Sequence, residues 1–199
     1  MTNDDTYSAG SQPPGRYRPS LRFYHPNGKG SGGAVEMNLH PAHDNVGGSI
    51  MMKIANQTSV GDRSGATPTY ARFDWDNAIC VKFDFNDLCR MLQVLRGECE
   101  SIDGDRGLYH QTSRAATKIQ LRHITEPVSG YSLDVFRSSR EDGASRHGRI
   151  VLTAAEALGL SEAIAGSMAV VCFGIPMLVE HDTSAYEERE RRLRNASAA

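Results

Sequence analysis

The segment Ile79–Gly97, ICVKFDFNDLCRMLQVLRG, changes its hydrophobic period half-way along. Apolar and polar residues alternate over Ile79–Phe85, which predicts a half-buried strand. The period of an amphipathic helix follows, with apolar residues at the i, i+3, i+4 and i+7 positions Leu88, Met91, Leu92 and Leu95. Asn86 or Asp87 can cap this helix, and Gly97 can end it. The segment therefore predicts a strand that leads directly into a helix.

Strands with the same alternating period precede this segment. The pattern begins at Leu21 and is clearest in Ala34–His40 and Ser49–Gln57. Tyr70–Trp75 continues it and is followed by a predicted Asp-Asn turn. Four or five strands and one helix therefore form a first unit.

Two aromatic residues of this unit, Phe73 and Trp75, are predicted to be structural. They share one face of their strand with the apolar residues, whereas Arg72 and Asp74 share the other. If Trp75 is fully buried, truncating it costs about 3–5 kcal/mol of stability.

A second unit repeats the layout of the first. Strand patterns are found at Leu108–Gln111, Thr117–Ile124, Tyr131–Arg137 and Arg149–Leu152. Thr153 can cap a second helix, whose apolar residues are Ala157, Leu158, Leu160 and Ile164 and whose weak points are Gly159 and Gly166. The sequence thus predicts an α+β fold made of two tandem strands-then-helix units. The two helices offer more apolar surface than one pair of sheets requires, which favours assembly.

The composition indicates one globular domain with a polar segment at each end. The chain has 199 residues, of which 39% are hydrophobic, and this suffices for a single core. Residues 1–19 are rich in Pro, Gly and Ser, so we expect a disordered tail. The domain is expected over residues 20–178, and residues 179–199 are expected to form a polar tail. No stretch approaches the ~20 apolar residues that cross a bilayer, so no membrane partner is expected.

The cysteines and the net charge narrow the class of protein. The four cysteines show no C-x-x-C spacing, so neither a zinc site nor a compact disulfide framework is indicated. We therefore expect reduced thiols, which are typical of the cytoplasm or of an equivalent reducing compartment such as a nucleoid or an organelle matrix. The net charge is −2, so any surface that attracts a polyanion has to be local.

Two short motifs invite a cofactor or metal site and fail on context. A G-x-G-x-x-G match at residues 28–33 precedes a strand pattern, whereas the dinucleotide-binding fingerprint opens a helix. We expect a turn here, either a flexible hairpin that presents Lys29 to a polyanion or a purely structural one. His40, His43 and Asp44 lack a distant partner at metal-ligand spacing, so a solvated turn is favoured. Since no catalytic motif is found either, we expect no cofactor, no metal and no enzymatic activity.

Polar side chains recur at period two in the predicted strand Thr117–Ile124. Lys118, Gln120 and Arg122 point to one side of a sheet. Further candidates for phosphate contact or base stacking are Arg22, Tyr24, Lys29, Lys53, Arg72, Lys82 and Tyr131, and a sheet could also expose Tyr109 and Phe136. This set predicts binding of single-stranded nucleic acid. An ordinary solvated sheet surface explains the same pattern equally well.

The order of several short motifs resembles the Whirly family of single-stranded DNA-binding proteins. In that family an aromatic residue, an acidic residue and a tryptophan precede a strand that runs into a helix, as in Arg72–Asn77 and Phe85–Leu88 here. Similar segments follow at Gly97–Glu100, Glu126–Tyr131 and Thr153–Gly159. Upstream, Asn27–Gly30 is similar to the family's Lys-Gly-Lys-Ala motif, with asparagine and glycine in place of the first lysine and the alanine. The resemblance covers Ser20–Pro176.

The resemblance implies two antiparallel four-stranded sheets packed almost perpendicular, with helices that assemble four subunits. Single-stranded DNA would then lie across the sheets and between neighbouring subunits. The related guide-RNA-binding proteins of kinetoplastid mitochondria share this architecture, so RNA stays open as a ligand. A structural or protein-interaction module on the same fold, and an enzyme, are the alternatives.

Overall fold

The computed structural model describes residues 20–43, 46–62, 64, 67–126 and 128–174. The predicted tails, residues 1–19 and 179–199, lie outside the described residues, as does Asp44 of the histidine-containing turn. Within the described residues, two antiparallel sheets and two helices follow one another as strands, helix, strands, helix. The predicted α+β class and the two tandem units are confirmed.

The first sheet contains five strands in four positions. The strands are β1 (Ser20–His25), β2 (Gly33–His40), β3 (Ser49–Ser59), β4 (Arg72–Phe73) and β5 (Ile79–Phe83). β1, β2 and β3 are neighbours in that order, and both β4 and β5 pair with the far edge of β3. β5 pairs with Ile50–Ile54 of β3, whereas the two residues of β4 pair beyond it with Gln57 and Ser59. The strand predicted over Tyr70–Trp75 is therefore reduced to two residues.

The second sheet is a four-stranded antiparallel meander. Its strands are β6 (Leu108–Gln111), β7 (Ala115–Ile124), β8 (Gly130–Ser139) and β9 (Ser145–Leu152), paired in chain order. All four were predicted, and β7 to β9 begin earlier than their sequence patterns indicate.

Helix α1 (Phe85–Leu95) is capped by Asp84, two or three residues ahead of the predicted caps. The Asp84 side chain accepts from the backbone N of Asp87 at 3.0 Å, and the Asp87 carboxylate accepts from the backbone N of Asp84. The expectation of Asn86 or Asp87 as the cap was wrong because β5 ends at Phe83, which leaves Asp84 extended and Asp87 at the third helical position. The predicted stop at Gly97 is confirmed by its positive φ of 74°.

Helix α2 (Ala154–Phe173) runs unbroken past Gly159 and Gly166. Thr153 caps it, as predicted, and in the N-terminal turn Nε2 of His25 is hydrogen-bonded to the Glu156 carboxylate at 2.9 Å. α2 is the one helix among the described residues that is long and apolar enough to cross a membrane by length and composition. The expectation that no stretch approaches that length was therefore wrong.

The burial of α2 shows how much of this apolar helix belongs to the core. One side of it is buried, through Ala157, Leu160, Ile164 and Val171, as in a core helix. On the rest of the surface, Leu158 and Phe173 are 63% and 82% exposed. One face of α2 therefore has apolar side chains that the described chain leaves uncovered.

One hydrophobic core joins both sheets and both helices. The sheets approach each other most closely where β2 and β3 meet β9. A Cβ at Gly33 would collide with the carbonyl oxygen of Arg149, and a Cβ at Gly148 would meet the Ile54 side chain at 2.9 Å. Both positions have to be glycine for the sheets to pack at this distance.

Candidate nucleic-acid interface

The outer face of the second sheet carries a row of four side chains, one from each strand. Lys118 on β7 pairs with Tyr109 on β6 and with Phe136 on β8, and Phe136 pairs with His147 on β9. Tyr109 is 62% exposed and Phe136 is 39% exposed. The Phe136 and His147 rings are stacked, with centroids 4.2 Å apart and an interplanar angle of 3°. We call this row, together with Gln120, Arg122 and Arg149, the second outer face.

A buried carboxylate holds the imidazole of this row in place. Asp134 is only 4% exposed, and its Oδ1 lies 3.0 Å from Nε2 of His147 and 3.7 Å from Nε of Arg149. Ser132 donates to its other oxygen at 2.7 Å and accepts from Arg149 at 3.2 Å. Since the carboxylate is surrounded by donors, it fixes His147 flat against Phe136 and orients Arg149. The aromatic part of the row is therefore rigid.

The three β7 residues predicted to share a face do so, but their side chains differ in what they contact. Lys118 stands between the two aromatic rings of the row. Gln120 donates to the carbonyl of Asp105 at 2.8 Å and so anchors the loop that precedes β6. Arg122 forms a backbone bridge with Ser101, and its Nε is buried with no hydrogen-bond partner within the described part of the chain. Gln120 is therefore structural in this arrangement.

The outer face of the first sheet has a row of opposite charges. The row consists of cross-strand neighbours on β1, β2 and β3, namely Arg22, Glu36 and Lys53. On β5, Cys80 pairs with Lys53, and Lys82 lies two residues further along on the same face. Arg22 Nε donates to Glu36 at 2.7 Å. Partial burial raises the pKa of Glu36, but the hydrogen bonds from Asn38 and Arg22, with the charges of Arg22 and Lys53, lower it further, so the net shift is downward. The Arg22 charge is thus largely balanced, whereas Lys53 and Lys82 are exposed.

An aromatic cluster of Tyr24, Phe73 and Trp75 lies beside this row. The Tyr24 ring centroid is 5.6 Å from that of Phe73 and 6.2 Å from that of Trp75. The expectation that Phe73 and Trp75 belong to the core was wrong, because both rings are only partly buried and lie outside the core cluster. Phe73 pairs with Gln57, which by alternation shares the outer face of β3 with Lys53.

The hairpin between β1 and β2 is held by side chains and presents Lys29. The Asn27 carbonyl oxygen Oδ1 accepts from the backbone N of Lys29 and of Ser31, both at 3.0 Å. Gln57, which is 6% exposed, accepts from the backbone N of Asn27 and of Gly32. This turn is therefore fixed by hydrogen bonds, in contrast to the flexible hairpin that was one of the two expectations. Lys29 itself is exposed.

Two predicted site residues lie apart from the others. Arg72 is exposed and alternates with Phe73, so it leaves β4 on the side away from the aromatic cluster. Tyr131 shares the inner face of β8 with Leu133, packs against the core, and has its ring 5.1 Å from that of His123. Tyr131 is thus on the opposite side of the sheet from Lys118, and the prediction that it joins this surface was wrong.

The sequence analysis missed His147 and Arg149, and it named Phe136 only as an aromatic residue that a sheet could expose. A signal was present in β8, where period two groups Phe136 with Ser132 and Asp134 on a polar face and groups Tyr131 with the apolar residues. His147 and Arg149 could not be found this way, since the first half of β9 shows no apolar alternation. No group of three or more potential ligands that could hold a metal ion occurs among the described residues.

Comparison with known proteins finds similarity in structure alone. No protein-family model matches the chain, and no curated protein matches its sequence at a significant level. WHY3 from Arabidopsis thaliana is 13% identical, with a TM-score of 0.63 over 87% of this chain and 98% of that one. The plant transcriptional regulator PBF-2 is 14% identical, with a TM-score of 0.62 over 79% and 84% of the two chains.

A guide-RNA-binding protein complex bound to a guide RNA is similar at a greater distance. It is 13% identical, with a TM-score of 0.50 over 77% of this chain and 91% of that one. The matched structures are thus Whirly proteins and guide-RNA-binding proteins, as the sequence motifs indicate. The chain has a Whirly-like fold.

Proposed function

We propose that this protein binds single-stranded nucleic acid across the outer faces of its two sheets. The observation that carries the proposal is the row of Tyr109, Lys118, Phe136 and His147, which alternates rings with a cation across four strands. Unpaired bases stack on such rings while the phosphates approach the cation, and every base has a face that can stack. The binding is therefore expected to tolerate many sequences.

The outer face of the first sheet supplies a second set of the same elements. On this face the aromatic cluster offers Tyr24 at 44% exposure, and exposed lysines lie on β3 (Lys53), on β5 (Lys82) and in the first hairpin (Lys29). The net charge of −2 does not oppose this, because phosphates respond to the local charge of the two faces within a Debye length of about 8–10 Å.

The similar structures support the same ligand class. They include Whirly proteins and a guide-RNA-binding protein complex bound to a guide RNA. Both DNA and RNA single strands are therefore candidate ligands of this chain. We infer that it acts by binding and not by catalysis, in keeping with the nucleic-acid-binding character of these neighbours.

We also propose that four copies assemble through α2, since Leu88, Met91 and Leu95 of α1 are buried in the core of the chain itself. α2 exposes Leu158 and Phe173 beside its buried side, and a groove between α2 and the β1–β2 edge is lined by Leu21, Leu39 and Ala163. Contact between subunits would remove this apolar surface from water. Light scattering is expected to give about four times the chain mass of 21.8 kDa; a monomer at micromolar concentration would contradict assembly.

A fluorescence-anisotropy titration with labelled single-stranded DNA, single-stranded RNA and duplex DNA of one length tests the ligand class. We expect clear binding to at least one single strand and much weaker binding to the duplex, whose bases are already stacked. Equal affinity for duplex and single strand would contradict the proposed stacking. Absence of binding to every nucleic acid would instead support a structural or protein-interaction module on this fold.

A further inference from the structure

Two arginines of the second sheet face each other where that sheet meets the first. Arg137 on β8 and Arg146 on β9 are cross-strand partners. Because side chains alternate along a strand, both lie on the side of the sheet opposite to Phe136 and His147. Further along the same strands this side packs on the first sheet. The two guanidiniums therefore stand at the margin of the packed region, where Arg146 is exposed and Arg137 is half-buried.

Each guanidinium has a single hydrogen bond, to the backbone at the edge of the first sheet. Nη1 of Arg137 donates to the carbonyl of Cys80 at 3.3 Å, and Nη1 of Arg146 donates to the carbonyl of Asn77 at 3.5 Å. Both distances are longer than is usual for an N–H···O bond. Since a guanidinium carries several N–H donors, most donors of this pair have no partner within the described part of the chain.

No carboxylate forms an ion pair with Arg137 or Arg146 among the described residues, whereas other arginines do have such partners. The Asp74 carboxylate accepts hydrogen bonds from Asn77, and the Asp142 carboxylate accepts one from the backbone of its own hairpin. Like charges directly opposite each other on a sheet destabilise it. An anion bound between the two guanidiniums would remove this repulsion.

The arginine pair lies between the outer faces of the two sheets. Arg137 contacts the carbonyl of Cys80, and Cys80 is the β5 partner of Lys53. Arg137 therefore follows Lys53 in the direction that leads across the first sheet. Arg146 lines one cleft with His147, which belongs to the second outer face. A single strand that passes from one outer face to the other meets both guanidiniums. The group that suits them is phosphate, to which arginine can donate two parallel hydrogen bonds.

We propose that Arg137 and Arg146 together hold a backbone phosphate of the bound single strand, at the point where the strand passes from the first sheet to the second. The inference rests on the proposed function and adds to it a crossing point and two cations that lie on neither outer face. The phosphate replaces the repulsion between the guanidiniums with charge-assisted hydrogen bonds to both. Because a phosphate contact carries no sequence information, this site adds affinity and positions the strand without selecting bases.

The salt dependence of binding to labelled oligothymidine tests the site. The double variant Arg137→Gln/Arg146→Gln leaves one phosphate without its cations, so we expect the log–log salt slope to flatten by about 0.7. Arg137→Lys/Arg146→Lys keeps both charges and should keep the wild-type slope, with weaker binding because lysine lacks the planar fork.

Arg114→Gln is the matched control for the glutamine variant. Arg114 precedes β7 at the same end of the second sheet, but it is paired with Glu141, with Nε and Oε1 3.7 Å apart. Its loss removes a positive charge from the same region without touching the arginine pair. We expect the control to keep the wild-type slope.

Denaturant unfolding of the free protein separates phosphate binding from a structural role. If the pair serves only to join the sheets through Cys80 and Asn77, Arg137→Gln/Arg146→Gln should lower the denaturation midpoint and leave the salt slope as it is. Our proposal predicts an unchanged or higher midpoint, because the variant removes a repulsive cross-strand pair. A lowered midpoint with the wild-type slope would therefore overturn it.

The remaining results separate this site from the function on which it rests. If wild-type protein binds oligothymidine and the folded glutamine variant has the same slope, the phosphate site is wrong and the proposed function stands. The same holds if Arg114→Gln flattens the slope equally. If inorganic phosphate at constant ionic strength raises the Tm of the wild-type protein alone, while both proteins bind the strand equally, the pair takes a free phosphate and the crossing point is wrong. If the wild-type protein binds no single strand, the proposed function fails and the site with it.

Discussion

Replacing Phe136 with leucine tests whether the rigid row on the second outer face stacks bases. Leucine keeps most of the apolar volume and removes the ring, so the folded protein should lose about 1 kcal/mol of stability or less. His147 covers one face of the Phe136 ring, which leaves one face for a base. Stacking contributes about 1–3 kcal/mol per base, so we expect the lower end, roughly a fivefold rise in Kd.

A second variant of the same row, Lys118→Gln, should give a different signature. Each neutralised phosphate releases counterions, so removal of Lys118 should flatten the log–log dependence of affinity on salt by about 0.7 for a single strand. Phe136→Leu should leave that slope unchanged, because it removes no charge. The measurement is a set of anisotropy titrations over a range of salt concentrations, after denaturant unfolding has shown that each variant is folded.

Arg96→Gln is the control for these two variants. Arg96 is an exposed cation at the C-terminal end of α1 and lies on neither outer face, so its loss should alter neither the affinity by more than about twofold nor the slope. The reasoning is refuted if folded Phe136→Leu binds with wild-type affinity. It is also refuted if the Lys118→Gln slope equals that of the wild-type protein.

Four further results follow from the structure. Trp75→Ala should stay folded, with a loss of unfolding free energy smaller than the ~3–5 kcal/mol of a buried aromatic residue, and should bind single strands less tightly. If the variant were unfolded under native conditions, Trp75 would have to be a core residue. Gly148→Val should lower the denaturation midpoint, because its side chain would collide with Ile54; an unchanged midpoint would show that the sheets can move apart. Asp84→Ala should lose about 1 kcal/mol of unfolding free energy through the lost helix cap, as denaturant titration can measure. Burial raises the pKa of Glu156, but hydrogen bonds from the Thr153 backbone and from His25 lower it further, so the net shift is to below 4.5. The stability that this carboxylate contributes is therefore present above pH 4.5 and is lost as the pH falls through the pKa of the folded state. Glu156→Gln should flatten the fall in Tm below pH 4.5, and an unaltered profile would exclude Glu156 as its source.

Local pattern was sufficient for the parts of the fold that depend on neighbours in the chain. The change of period within Ile79–Gly97 identified β5 and α1, and Thr153 was identified as a cap, because both signals act within one or two turns of backbone. Alternation also placed Lys118, Gln120 and Arg122 on one face of β7. The two-unit layout was predicted on this basis, and the Whirly-like fold was predicted from the resemblance of several short motifs; the structure and its similarity to solved proteins confirm both.

Contacts between distant segments decided which face of each strand meets the core. Alternation groups Phe73 with Trp75, and Tyr131 with Leu133, but it does not say which group is buried when both faces carry large side chains. The pairing of β4 beyond the end of β5 turned the first pair outward, and the β7–β8–β9 register turned Tyr131 inward and stacked Phe136 on His147. A cleft where the two sheets meet, lined among others by Asn56, Asp74, Arg146 and His147, has the same origin. Its walls are more than 60 residues apart in the chain, so only the packing of one sheet on the other brings Asp74 and Arg146 together.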